Sequence, residues 1–215
     1  MLQEAVGRTS SLMARLNAAT AAIRDDRELL VGRVSWLDYR LYLVRMYGFH
    51  APVEQVLAGH RALTAVVRDA GLRNHKAALL AHDLVALGAD RRDLMQAPRM
   101  ALAGALELPE ALGWTYVVES MTLRNKLVAQ RLARHLPAEI QRASAYLRCY
   151  GDEAPTRWRE LGGALDTFAQ GRAPGHASYV EHACDRVLDT ARDGLLQLRR
   201  WLGPVLQPRT TQRHA

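Results

Sequence analysis

Residues 113–132, GWTYVVESMTLRNKLVAQRL, constrain this chain more than any other stretch. Tyr116, Leu123, Leu127 and Leu132 fall at helical spacing, so the segment reads as one long helix. The remainder agrees with it. No alternating strand pattern, Asn-Gly hairpin signal or solenoid repeat occurs, and the Ala/Leu-rich composition favours helices. The expected architecture is all-α, a single layered bundle of about six to eight helices.

At 215 residues the chain is one domain able to bury a sizeable core. The expected organisation is a flexible N-terminus over 1–9, a helical domain over 10–203 and a disordered tail over 204–215. No apolar run approaches the roughly 20 residues that a membrane span needs. MLQEAVGRTSSLMARL lacks the apolar centre of a signal peptide, so the cytoplasm is the expected location. Cys149 and Cys184 fit neither a disulfide framework nor a metal-ligand spacing and read as free thiols. The net charge is +7, carried mainly by arginines scattered along the helices as on a solvated surface. No nucleic-acid-binding motif accompanies them.

Ser10 or Ser11 caps a first helix through Leu12, Leu16, Ala19, Ile23 and Leu30, with Gly32 near its end. Ser35, with Asp38 three residues on, opens WLDYRLYLVRMYGFHAPVEQVLAGHRAL. Pro52 has no amide proton, so a pair of helices bent at YGFHAP is expected there. Asn74–Leu87 is a further amphipathic helix stopped by Gly88, and 90–109 is a short helix plus loop. Helices from about Ala138 and over Thr156–Ala169 flank the YGDEAP turn. QGRAPG connects to a last helix, about His176–Leu202, ended by Gly203-Pro204.

Several motifs then recur in a defined order: LNAATAAIRDDRELL, DYRLYLVRMYGFHAPVE, HDLVALG, APRM followed by LPEALG, GWTYVVESMTL and YGDEAPTRWRELGGAL. Over about residues 10–203 this series resembles the bacterial biliverdin-producing heme oxygenases, of the type associated with bacteriophytochromes. The resemblance implies a helical sandwich with a kinked central helix. Heme would lie between a proximal helix that supplies a histidine to iron and a distal helix whose glycines admit the ring.

The site positions depart from that pattern. In the first helix Leu16, Thr20 and Glu28 keep their places in L-[RK]-x-x-T-x-x-x-H-x-x-x-E, but the histidine position is Arg24 and the preceding basic position is Asn17. A guanidinium stays protonated and has no lone pair for iron. In the central helix Tyr116 and Glu119 keep the frame. Ser120, Arg124 and Asn125 stand where the family has glycines, and Met121 stands where it has a small polar residue. Arg24 and Arg124 could line a site for a small anionic ligand. The favoured reading pairs each with an acid, such as Glu28 or Glu119, and plugs the cavity.

His50 reads as a packed histidine, and His60, His75 and His82 as surface or second-layer residues. Tyr116, Tyr150, Trp158 and Trp201 fall at framework positions and read as core. Glu181, His182 and Asp185 lack the converging carboxylates and histidines of a di-iron site. The expected function is a binding or regulatory module that has lost heme ligation, with no cofactor. Its partner would be another protein, such as a sensor kinase or phytochrome, or a small anionic ligand, with neither nucleic acid nor membrane involved. The alternative is an active heme oxygenase with unconventional iron ligation, for which heme would be the cofactor.

Overall fold

Ser11 opens helix α1 (Leu12–Thr20) by accepting a hydrogen bond from the Ala14 amide. The structure, a computed structural model, describes residues 11–23, 34–102, 106–171 and 177–206. Arg24, Glu28, Leu30 and Gly32, the QGRAPG connection beyond Gly171, the first ten residues and the tail from 207 lie outside that description.

Helix α2 (Trp36–Ala58) begins at a reciprocal cap, in which Ser35 Oγ accepts from the Asp38 amide and the Asp38 carboxylate accepts from the Ser35 amide. In place of the expected pair of helices bent at YGFHAP there is one helix, and α2 continues through Pro52. Pro52 cannot donate to the Gly48 carbonyl four residues back. The Met100 amide donates to that carbonyl instead, at 2.9 Å. A Cβ at position 48 would overlap the Pro98 carbonyl oxygen and come within 2.9 Å of Trp201. Gly48 and Pro52 therefore make one joint with the Pro98–Met100 loop, which accounts for two separate sequence motifs together.

Short helices α3 (Arg61–Val66) and α4 (Ala70–Arg73) lead to α5 (Lys76–Ala86), which stops at Gly88 with φ +87°. Helix α6 (Arg91–Gln96) starts at the reciprocal Asp90/Asp93 cap. The central helix α7 (Leu108–Leu132) begins earlier than its periodicity indicates. Pro109 lies in its first turn, where a missing amide proton costs nothing. Every residue from 111 to 120 is buried, so this half has no solvent face and no readable stripe. Leu127, expected on the apolar stripe, is 55% exposed.

Three α7 hydroxyls bond back to the preceding turn: Thr115 to Ala111 O, Ser120 to Val117 O and Thr122 to Glu119 O. Such bonds compete with the helix ladder and favour bending. After α8 (Pro137–Arg142) the chain turns through Tyr150 (φ 64°) and Gly151 (φ 51°) into a short 3-10 turn and α9 (Ala154–Ala169). The last helix, α10 (Ala177–Leu206), runs past Gly203 and Pro204, where the sequence predicts its end. A proline this near the terminus removes a single amide from the ladder, which the last turn tolerates.

Helix α10 packs along α7, α2 packs on α5, and α1 lies against α9 and α10. The α7–α10 approach is close: a Cβ at Gly113 would lie 2.7 Å from Thr190 Cβ. Tyr39, Phe49, Tyr116 and Tyr146 fill the core with Leu16, Leu43 and Leu84. No described helix is long and apolar enough to cross a membrane.

Candidate functional site

Of the positions read from the sequence, Asn17 and Thr20 of α1 meet Tyr116 of α7. Tyr116 Oη donates to Asn17 Oδ1 at 3.1 Å and lies 2.8 Å from Thr20 Oγ1, which itself donates to the Leu16 carbonyl at 2.7 Å. The Tyr116 ring leans on Trp158 with 5.2 Å between centroids. Asn17, Thr20 and Tyr116 thus form one hydrogen-bonded contact. Met13 is the only side chain on described α1 with a sulfur or imidazole donor. It is buried against α9, where a Cβ at Gly162 would lie 3.1 Å from Met13 Cγ.

One turn further along α7, Ser120 is buried with its hydroxyl on the Val117 carbonyl, and Met121 is half-buried against the core. Asn125 is also buried, and its Nδ2 donates to Tyr146 O at 2.9 Å, tying α7 to the segment before α9. Arg124 is exposed. The expectation that Arg124 pairs with Glu119 inside a plugged cavity is corrected by that exposure and by the partners Glu119 does have. Residues five apart on an α-helix point about 140° away from each other, so Arg124 faces outward when Glu119 faces inward.

Glu119 is 1% exposed and accepts from Arg73 Nη1 at 2.9 Å and from Lys76 Nζ at 2.8 Å. Lys76 Nζ also donates to Arg73 O and to Tyr150 Oη, and Tyr150 Oη donates to Glu119. Arg73 reaches Glu160 and the Arg157 carbonyl as well. Two buried cations are therefore compensated by one buried carboxylate, one half-exposed carboxylate and a set of oxygen acceptors. Nothing in the sequence joins residues this far apart.

Beside this cluster, Glu54 accepts the Lys76 and Ala77 amides at 2.8 and 3.1 Å and closes the start of α5. Asp83 accepts the Ala145 and Tyr146 amides at 2.7 and 2.9 Å. Burial pushes both carboxyls above their ordinary range, against the pull of those amides. His50 is fully buried, with Nε2 3.3 Å from Tyr146 Oη and Nδ1 3.7 Å from Glu54. Burial first, and Lys76 second, hold His50 well below the usual imidazole pKa. His75 is lowered for the same two reasons and lies 3.6 Å from the Cys149 thiol, which burial raises to about 11.

The unfolded chain protonates these histidines below about pH 6.5 while the folded chain does not. Stability is therefore complete above that pH and lost as the pH falls beneath it. Between pH 7 and 5.5, His50 should account for a loss on the order of 1 kcal/mol. The raised carboxyls act in the opposite sense, their contribution fading as the pH rises through their folded pKa. Comparing urea midpoints of the parent and His50→Phe at both pH values cancels that background. An unchanged pH slope in the variant would show that His50 is not held neutral.

His60 caps α3 by accepting from the Leu63 amide, and His82 is exposed. Tyr150, Trp158 and Trp201 are half-buried and only Tyr116 of that set is fully enclosed. Asp185 pairs with Arg15 at 2.8 Å. Among the described residues no group of His, Cys, Asp or Glu is placed to hold a metal ion. Both cysteines are buried free thiols.

No protein-family model matches the chain, and neither does any curated protein. Among solved structures, the chain is similar to the NO- and CO-bound heme oxygenase from Neisseria meningitidis. The likeness covers 92% of this chain and 93% of that one, with a TM-score of 0.70 and 19% identity. The chain therefore has the heme-oxygenase fold, an all-helical single-domain bundle.

Proposed function

We propose that this heme-oxygenase-fold chain does not ligate heme iron and serves as a binding or regulatory module. One observation carries the reading: residues 11–33, the first helix and the segment after it, contain no histidine, cysteine or tyrosine. Haem iron is held by His, Cys, Met or Tyr, and the lone Met13 of this stretch is packed against Gly162. Arg24, at the histidine position, offers donors only. On the facing helix Ser120 and Asn125 add buried side chains where the resembled family has bare backbone. The residues present thus do not fit an iron-ligated heme, and no oxygenase step is derived from them. The module's partner would be a second protein, of the sensor-kinase or phytochrome kind, or a small anionic ligand.

The competing reading, an active oxygenase with unconventional ligation, draws support from the fold likeness to an NO- and CO-bound heme oxygenase. It would need an interior histidine such as His50, whose Nε2 already faces Tyr146 and whose Nδ1 faces Glu54. Hemin titrated into the purified chain should give only the broad absorbance of free hemin, and addition of a reductant should yield no biliverdin. Arg24→His alone should leave this unchanged, whereas Arg24→His with Ser120→Gly and Asn125→Gly should bring heme binding back. A sharp Soret band or biliverdin from the unmodified chain would overturn the reading.

A further inference from the structure

The cations are not spread evenly along the helices, as the sequence suggests. Residues 124–148 hold six Lys and Arg against one carboxylate, Glu139. Within them the second half of α7 exposes Leu127 by 55%, with Arg131 and Arg134 exposed on the same face at steps of four and three residues. Lys126 pairs with Asp152, but neither arginine has an ion-pair partner among the described residues. Helix α10 carries the opposite charge. Its first half exposes Glu181, Asp185, Asp189 and Asp193, and the half-buried Leu188 lies on the side of Glu181 and Asp185. Asp185 meets Arg15 at 2.8 Å, whereas Glu181 and Asp189 pair with none of the described residues. Either face alone is what a solvated helix presents. Together they are complementary in charge and in spacing.

Within one chain the two faces do not meet. Glu110, Gly113 and Val117 of α7 adjoin Arg186, Thr190 and Gly194 of α10, so the two helices run parallel. Leu127 is 14 residues past Gly113, about 21 Å along the axis from the level of Thr190. That distance exceeds the screening length of about 10 Å at 0.1 M salt. A second copy turned end over end brings the faces level. With Leu127 against Leu188 of the second copy, Arg131 stands beside Asp185 and Arg134 beside Glu181. The fit follows from equal steps, since Leu127 to Arg134 and Leu188 to Glu181 each span seven residues, about 10 Å. Reversing the bundle axis is what a two-fold axis does, and a two-fold makes the contact twice.

We propose that the chain self-associates head to tail, the basic face of α7 in one copy resting on the acidic face of α10 in the other. The occupant is a second copy because this same chain carries the face of opposite charge and matching step. Exposed ion pairs are individually weak, and the net charge of +7 opposes association, so the pair is reversible and forms at high concentration. Asn17, Ser120 and Asn125 take no part in the contact, so association does not depend on whether iron is ligated.

Sedimentation equilibrium of the full chain tests this at about 0.1 M salt and up to about 1 mM protein. The mean mass should rise with concentration from 24.0 kDa toward twice that value. It should return to 24.0 kDa at about 1 M salt, where the screening length falls to about 3 Å. Arg134→Glu and Glu181→Arg should each weaken association roughly tenfold, because attraction becomes repulsion at both copies of the contact. An equimolar mixture of the two variants should recover it, since each supplies the charge that the other has lost. That recovery also shows that both variants fold. A mass that stays at 24.0 kDa at every concentration, association indifferent to salt or to either reversal, or a mixture that associates no better than its components would each overturn the proposal.

Discussion

Glu119→Leu lowers the stability of the fold by about 3–5 kcal/mol, the cost of leaving a buried cation without its carboxylate. For a chain of this size that is a drop of roughly 6–20 °C in Tm. The expectation follows from burial: the side chains of Glu119, Arg73 and Lys76 are 2%, 3% and 0% exposed. Arg73 keeps Glu160, whose side chain is 48% exposed, but Lys76 keeps only Arg73 O and Tyr150 Oη. Adding Lys76→Met to Glu119→Leu should therefore recover much of the loss, because the double change removes the orphaned ammonium with its partner. Urea unfolding of the two variants beside the parent checks both statements. A loss under about 1 kcal/mol for Glu119→Leu would show the cluster to be solvated, as surface ion pairs are.

Gly48→Ala should be the most damaging substitution among the described glycines. The added methyl meets the Pro98 carbonyl oxygen, a backbone atom that no side-chain rotation can move aside, and Trp201 closes the other side. The expected loss is at or above the upper end of the about 1–3 kcal/mol typical of overpacking, since the loop must separate from α2 and surrender the Met100–Gly48 hydrogen bond. Gly163→Ala is the matched control. It lies inside α9 with nothing within 4 Å of the new methyl, and should stabilise the chain by roughly 0.5–1 kcal/mol. Thermal unfolding of both variants decides the matter. A neutral Gly48→Ala would mean that the Pro98–Met100 loop does not rest on α2.

What could be read from the residues alone was local. The Ser35/Asp38 cap and Gly88 as the stop of α5 are short-range events written in adjacent residues. The all-helical class followed from periodicity outside the core. The interior was harder to read. Residues 111–120 are enclosed on every side, so burial erases the polar face from which a helix's orientation is deduced. Pro52 suggests two helices bent at YGFHAP, and the one helix observed was not legible because the acceptor Pro52 frees is satisfied by an amide far along the chain. The partners of Glu119 stand 43 and 46 residues away, at Lys76 and Arg73, and no pattern of spacing announces them. Of the candidate site, Asn17, Thr20 and Tyr116 come together, Ser120 and Asn125 are buried on the facing helix, and Arg124 faces outward.

The mid-helix proline has one more consequence. By surrendering an internal bond, α2 exports a single acceptor sideways and fixes where a distant loop must land. Between Gly59 and Gln96 the polypeptide must therefore deliver an amide to that socket as well as Arg73, Lys76 and Asp83 to the interior. Within Pro98–Met100 the fit is tightest, because the Pro98 carbonyl rests where a Cβ of residue 48 would stand while the Met100 amide meets that residue's carbonyl oxygen.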